Sequence, residues 1–229
     1  MSREIVLDTE TTGIRPEEGD RVVEIGCLEL INHLPTGKTF HKYVNPERDM
    51  PEEAFRVHGL SEEFLRDKPL FSAIADEFID FIGDAPLVIH NAAFDIGFLD
   101  AELKRLGREA IGLARSIDTV RIARSKFPGA QVSLDALCRR FNIDNSGRVK
   151  HGALLDAELL AEVYLELVGG RQQGLSLAGL DNDPMALAPV AAPRGPARPV
   201  RPHAASEEEL AAHAKFIAKL KEPIWLKAD

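Results

Sequence analysis

IVLDTETTG, residues 5–13, decides how the rest of the chain is read. An apolar start followed by Asp-Thr-Glu predicts a short strand on which side chains two apart point to the same side. Asp8 and Glu10 then share one face at the strand's C-terminal end. Open α/β sheets keep their working crevice outside the carboxyl ends of the strands, so an acidic pair there marks a candidate site. Three more residues stand in similar contexts: Asp95 closes HNAAFD, and His151 and Asp156 bracket HGALLD.

Four carboxylates drawn together by folding would repel one another, and hard oxygen ligands in this number favour Mg²⁺ or Mn²⁺ over zinc. Two such ions about 3.5–4 Å apart can clamp the attacking and leaving oxygens of a phosphodiester. Histidine suits the general base that takes the proton of the attacking water, and His151 is the candidate. Positions five apart on a helix lie about 140° round from each other at about 3.6 residues per turn. His151 therefore belongs in the lead-in to a helix over 153–167, with Gly152 at the junction and Asp156 in the first turns. Asn91 can cap a second helix, leaving Asp95 early in it. Taken singly, each of these residues also reads as a turn former, a cap or a solvated side chain. Their joint appearance at strand ends and helix starts is what those readings leave unexplained.

Here the chain resembles the DEDDh 3′ to 5′ exonucleases, and among them the proofreading subunits of bacterial replicative DNA polymerases. The likeness is carried by IVLDTETTG, PEEAFRVHGL, VIHNAAFDIGFLD, SLDALCRRFNIDNSGR and HGALLDAELLAEVY. It implies that Asp8, Glu10 and Asp156 hold the metal carrying the nucleophile and that Asp8 also reaches the second metal. Asp95 would serve that second ion, directly or through water, and His151 would be the base. It further implies that Glu53 and His58 touch the 3′-terminal nucleotide of single-stranded DNA, with Thr11 and Gly13 against its sugar. Phe94 reads either as a base-packing ring or as core, and Phe55 and Val57 read as core.

The order of elements fits an α/β, ribonuclease H-like mixed sheet flanked by helices, as that resemblance implies. Strands are expected over 4–8, 21–31 and 39–44, with RPEEGD and NHLPTG as the intervening turns, then at 87–90 and 116–118. Helices are expected over 51–57, 61–65, 70–82, 91–106, 119–126, 133–141 and 153–167. The stripe Phe71, Ile74, Phe78, Phe81, Ile82 marks the third of these as amphipathic.

With 229 residues, 45% of them hydrophobic, the chain can bury one substantial core and still leave a tail. No apolar run approaches the roughly 20 residues of a membrane span, and residues 1–6 lack the pattern of a secretory signal. Cys27 and Cys138 show no disulfide or CxxC spacing, which fits a reducing cytoplasm. The net charge of −9 is awkward for a DNA-binding chain. Residues 115–150 hold eight Lys or Arg against three Asp or Glu, making that segment +5 and the remainder −14. One basic face could track phosphates, although Arg139 and Arg140 read equally as solvated surface. Weak intrinsic affinity for DNA and reliance on a partner follow.

Beyond the catalytic domain of residues 1–170 the composition changes. Residues 171–180 contain Gln172, Leu175 and Leu177 spaced as QxxLxL, similar to the peptide by which replication proteins dock on a sliding clamp. Residues 181–205, rich in Pro and Ala, read as a flexible linker. In 206–229, Ser206 is a suitable cap for a short helix with three glutamates in its first turn. Leu210, Phe216, Ile217 and Leu220 give that helix an apolar face it cannot bury alone, and Ile224 and Trp225 are natural anchors. The face can dock on a partner, which the resemblance makes the polymerase's large catalytic subunit, or fold back on its own domain. An RNA-processing 3′ exonuclease would share the acidic and histidine set without needing this tail. A non-catalytic adaptor would have no use for that set.

Overall fold

Alternation along β1 (Arg3–Thr11) gives the sheet its two apolar faces: Ile5 and Leu7 enter one buried layer, Val6 the other. The computed structural model describes residues 2–148, 150–170 and 204–220. β2 (Val22–Ile31) and β3 (Leu34–Tyr43) follow β1 as an antiparallel meander. β4 (Leu87–Ile89) pairs parallel with β1, and β5 (Ser116–Asp118) parallel with β4, giving the order β3-β2-β1-β4-β5. Both inner crossovers therefore deliver the carboxyl ends of β1, β4 and β5 to one rim, next to the line where pairing changes from antiparallel to parallel.

The expected turn NHLPTG is corrected. Only Asn32 and His33 form it, both with positive φ (52° and 66°), as a tight two-residue hairpin connection requires. The strand resumes at Leu34 and runs through Pro35 and Gly37, five residues before its expected start at Thr39. Pro35 is tolerated because β3 is an edge strand with one unpaired side. β1 likewise extends past Asp8 to Thr11, so Asp8 and Glu10 both lie within paired strand.

Helices α1 (Glu52–His58), α2 (Glu62–Arg66), α3 (Phe71–Ile82) and α4 (Ala92–Arg105) follow in order. Phe71, Ile74, Phe78 and Ile82 of α3 and Ile96, Phe98, Leu99 and Leu103 of α4 bury against Ile5, Leu7 and Ile25. The opposite face is covered by α5 (Thr119–Lys126), α6 (Leu134–Phe141) and α7 (Ala153–Leu167). At roughly 25 cal/mol per Å² of apolar surface buried, these two layers are what fix the rim. Gly26, paired with Asp8, lets α7 approach: a Cβ there would stand 2.3 Å from the Ala153 carbonyl carbon and the Leu154 nitrogen.

The chain divides into two units, Met1–Ser176 and Leu177–Asp229. Within the described part of the second, α8 (Glu207–Ile217) opens on a complete capping box between Ser206 and Glu209. Leu210, Phe216 and Leu220 are exposed. Gln172, Leu175, Leu177, Ile224 and Trp225 lie outside the described residues. No described helix is long and apolar enough to cross a membrane.

Candidate active site

β1 supplies Asp8 and Glu10, α4 supplies Asp95 from its first turn, and α7 with its lead-in supplies Asp156 and His151. Segments far apart in sequence thus meet at the rim. Ligand atoms of Glu10, His151 and Asp156 lie within 4.8 Å of one another. Asp8 and Asp95 fall outside that tight set but lie close enough that Glu10 and Asp156 raise the proton affinity of Asp8, and Asp95 raises that of Glu10. Asp156 and Asp95 are buried, whereas the His151 side chain is 48% exposed.

The local geometry explains each orientation. His151 precedes α7, as its spacing from Asp156 required, and its amide donates to the Val57 carbonyl at 3.2 Å, tying the loop to the end of α1. Asp95 Oδ1 accepts from the Thr9 amide at 3.0 Å and the Thr9 hydroxyl at 2.7 Å, which fixes one carboxylate oxygen. Thr9 does this because it points to the α4 side of β1 while Asp8 and Glu10 point to the α7 side. Asn91 holds the cap position of α4, but in the left-handed region (φ 73°) and without a side-chain cap bond. Its expected capping role is corrected to a backbone one.

Proton affinities show an acidic cluster short of positive charge. Burial, then Asp95, Glu10 and Asp156, pushes Asp8 well above the carboxylate range. Burial, followed by the charges of Asp156, Glu24 and Asp95, raises Glu10 to about 8. Burial raises Asp95 to about 7 despite its bonds from Thr9. Asp156 differs. Burial opposes its ionisation, but hydrogen bonds and charge from Arg148 and His151 outweigh that and hold it below the usual range. A donor set of clustered carboxylate oxygens beside one imidazole fits a hard divalent cation.

A cleft of about 210 Å³ adjoins Glu10, lined by Thr9, Thr11, Gly13, Ile14, Glu53, Ala54, Val57, His58 and Phe94. It unites the residues expected around the terminal nucleotide. His58 Nδ1 accepts from the Leu60 amide at 3.0 Å, so Nε2 of the neutral ring carries the hydrogen, a buried donor without a partner. Thr11 Oγ1 donates to the Gly13 carbonyl at 2.5 Å, shaping the backbone at the cleft's lip. Phe94 packs on Phe98 at 5.0 Å between centroids and also lines the cleft. Val57 and Phe55 are corrected: Val57 is 47% exposed and lines the cleft, and Phe55 is also exposed, because α1 lies over the rim rather than on the sheet.

Part of the basic segment is taken up within the fold. Arg115 donates to the carbonyls of Ala85, Ile82 and Gly83, and Lys126 to those of Glu166 and Leu167. Arg140 stacks on Phe127 at 4.4 Å, and Arg148 is spent on Asp156 and Asp135. Arg121 and Arg124 are exposed along a cleft with His90, Asn91 and Asp118, beside the rim, and Arg139 and Lys150 are exposed as well. Sequence reading missed Arg148, Thr9 and Gly26 as parts of the site. The position of Arg148 three residues before His151 was the available signal.

A carboxylate-lined rim on a mixed sheet of this order defines the exonuclease class of nucleases, and the family model described as Exonuclease matches residues 5–164. DNA polymerase III subunit epsilon of Rickettsia conorii is 60% identical over 178 residues, covering 76% of this chain and 77% of that protein. The protein of the same name from Escherichia coli K12 is 47% identical over 221 residues, covering 93% and 91%. Exonuclease X in complex with 5′ overhanging duplex DNA superposes with TM-score 0.57 at 26% identity, over 73% of this chain and 91% of that one. The nuclease domain of 3′hExo, a DEDDh family member bound to rAMP, shares the fold with TM-score 0.64 at 20% identity, over 73% and 92%. The chain belongs to the exonuclease family, in the branch formed by the DNA polymerase III epsilon subunits.

Proposed function

We propose that the chain removes misincorporated nucleotides from the 3′ end of DNA by hydrolysis, as the proofreading subunit of a replicative polymerase in the cytoplasm. The observation that carries this reading is the convergence of Glu10, His151 and Asp156 within 4.8 Å, flanked by Asp8 and Asp95. Asp8, Glu10 and Asp156 would hold one divalent ion, and Asp8 with the free oxygen of Asp95 a second, with Mg²⁺ or Mn²⁺ matching the oxygen-rich set. When bound, such ions lower the pKa of water and stabilise charge on the scissile phosphate.

The protein's own groups do the rest. The cleft beside Glu10 takes the terminal nucleotide, Glu53 and His58 bond it, and the backbone at Thr11 and Gly13 sets its sugar. Phe94 presents a ring to the base, which stacking favours by about 1–3 kcal/mol. His151, half exposed, anchored through its amide to Val57 and beside Glu10 and Asp156, accepts the proton of the attacking water. Burial of Asp95 and Asp156 keeps the carboxylates from swinging away from the reacting phosphate.

The tail supports a tethered enzyme. The Escherichia coli relative is matched over 93% of this chain, so the likeness runs past the nuclease domain into the region of α8. The exposed Leu210 and Phe216 suit docking on the catalytic alpha subunit of DNA polymerase III, with Ile217, Leu220, Ile224 and Trp225 completing the contact. Gln172, Leu175 and Leu177 suit the sliding clamp. In a degradation assay with Mg²⁺, the full chain should shorten a mismatched 3′ end of DNA, and Asp8→Ala should abolish this. Removing residues beyond Gly170 should end capture of the alpha subunit and leave nuclease activity. Activity that survives Asp8→Ala, or alpha capture that survives the truncation, would defeat the respective half of the proposal.

A further inference from the structure

Arg148 lies in the loop before α7, three residues ahead of His151, with a side chain only 8% exposed. Its guanidinium bonds Asp156 and His151 in the site and Asp135 beside it. Nε donates to Asp156 Oδ1 at 2.6 Å and Nη2 to Asp156 Oδ2 at 2.5 Å, a fork that covers both carboxylate oxygens. Nη2 also donates to His151 Nδ1 at 2.9 Å, and Nη1 to Asp135 Oδ1 at 2.8 Å.

His151 Nδ1 also stands 3.3 Å from Asp156 Oδ2, so guanidinium and imidazole meet on the same carboxylate. A divalent ion needs the oxygen lone pairs that the fork occupies, so the guanidinium and the ion compete for Asp156. We propose that Arg148 is a lock on Asp156, a fork that must open before both carboxylate oxygens can serve a divalent ion. This rests on the reading of the carboxylates as metal ligands.

Release requires no unfolding of the loop. Asp135, in the first turn of α6 and 42% exposed, also accepts from Asn145 Nδ2 at 3.0 Å. The guanidinium can turn toward Asp135 and solvent while the loop keeps that anchor. A doubly charged ion also answers the crowding of Asp8, Glu10, Asp95 and Asp156 better than one guanidinium, which favours the exchange. Arg148 is thus a positioning residue that sets the availability of Asp156 to the metal.

The test is calorimetric titration of the chelated full chain with MnCl₂, for the unaltered protein, Arg148→Gln and Arg148→Lys. Removing the competing fork should lower the Kd for Mn²⁺ about tenfold or more in Arg148→Gln. Arg148→Lys keeps the charge but cannot fork, and should fall between the two. In the unaltered chain, the ¹⁵N Nε–H resonance of Arg148 should be protected from exchange without metal. It should move and exchange rapidly on saturation with Mg²⁺. If Arg148→Gln fails to fold, Arg148→Lys and the resonance decide. Variants binding Mn²⁺ no more tightly than the unaltered chain, or a resonance unmoved at Mg²⁺ saturation, would overturn the lock. Tightening in Arg148→Gln with none in Arg148→Lys would reduce Arg148 to a distant charge and overturn the lock as well. Failure of the unaltered chain to bind Mn²⁺ at all would instead remove the carboxylate reading beneath it.

Discussion

Raising the pH of the chelated protein from about 6.5 to about 8.5 should destabilise it, opposite to the trend expected where buried histidines dominate. Glu10 keeps its proton in the folded chain until about 8, whereas an ordinary glutamate releases it near 4.5. A group raised in this way lends stability that is complete below the unfolded value and disappears as pH climbs through the folded one. Between about pH 6.5 and about pH 8, at about 1.4 kcal/mol per pH unit, the loss is about 2 kcal/mol. Asp95, raised to about 7, acts in the same direction but shares the same repulsion, so its contribution does not simply add. Starting at about pH 6.5 keeps His58 and His90, both held low by burial, largely neutral throughout. Asp156 and Glu29, held below the usual range, lose their contributions only in acid. At about 2–4 °C per kcal/mol for a chain of this size, Tm in EDTA should fall by about 4–8 °C. Saturating Mn²⁺ should cancel the fall, because it stabilises the ionised carboxylates, and the difference between the two curves should widen with pH. Scanning calorimetry across this range measures both. A Tm in EDTA that is level or rises with pH would refute the raised proton affinities of Glu10 and Asp95.

Single substitutions separate the parts of the site. His151→Gln should retain Mn²⁺ binding in titration calorimetry while lowering turnover about 10²–10⁴-fold. Asp156→Asn should weaken Mn²⁺ binding itself, and equal affinity in both variants would contradict the division of roles. Gly26→Ala would force a Cβ into the Ala153 backbone, so we expect a loss of about 3 kcal/mol in urea unfolding, with activity falling as α7 is pushed from β1. Arg121→Glu with Arg124→Glu should raise KM for single-stranded DNA at low salt and flatten its salt dependence. An unchanged KM would remove that cleft from the substrate path.

Much of the fold could be read from period and spacing. The stripe of α3 and the apolar length of α7 are long regular patterns, and α7 spans 153–167 as expected. The five-residue separation of His151 and Asp156 correctly put the histidine outside the helix. What escaped was decided by three-dimensional approach. Leu34–Lys38 reads as loop because Pro35 and Gly37 are poor strand residues, and only the edge position of β3 makes them acceptable. Val57 and Phe55 look like core because apolar residues on a short helix usually are, but α1 roofs the cleft instead. Thr9 gave no separate signal, since its hydrogen bonds to Asp95 cross 86 positions of sequence. Arg148 reads only as one of the eight basic residues of 115–150, and its burial depends on α6 and α7 closing around it.

The most direct measurement is anomalous diffraction from crystals grown with Mn²⁺ and a nucleoside monophosphate. Anomalous peaks should appear bounded by Asp8, Glu10, Asp95 and Asp156, with the nucleotide in the cleft of Glu53, His58 and Phe94 and Arg148 turned away from Asp156. Ordered carboxylates with no peak between them, the nucleotide elsewhere and Arg148 still forked on Asp156 would contradict a metal-loaded site at this rim.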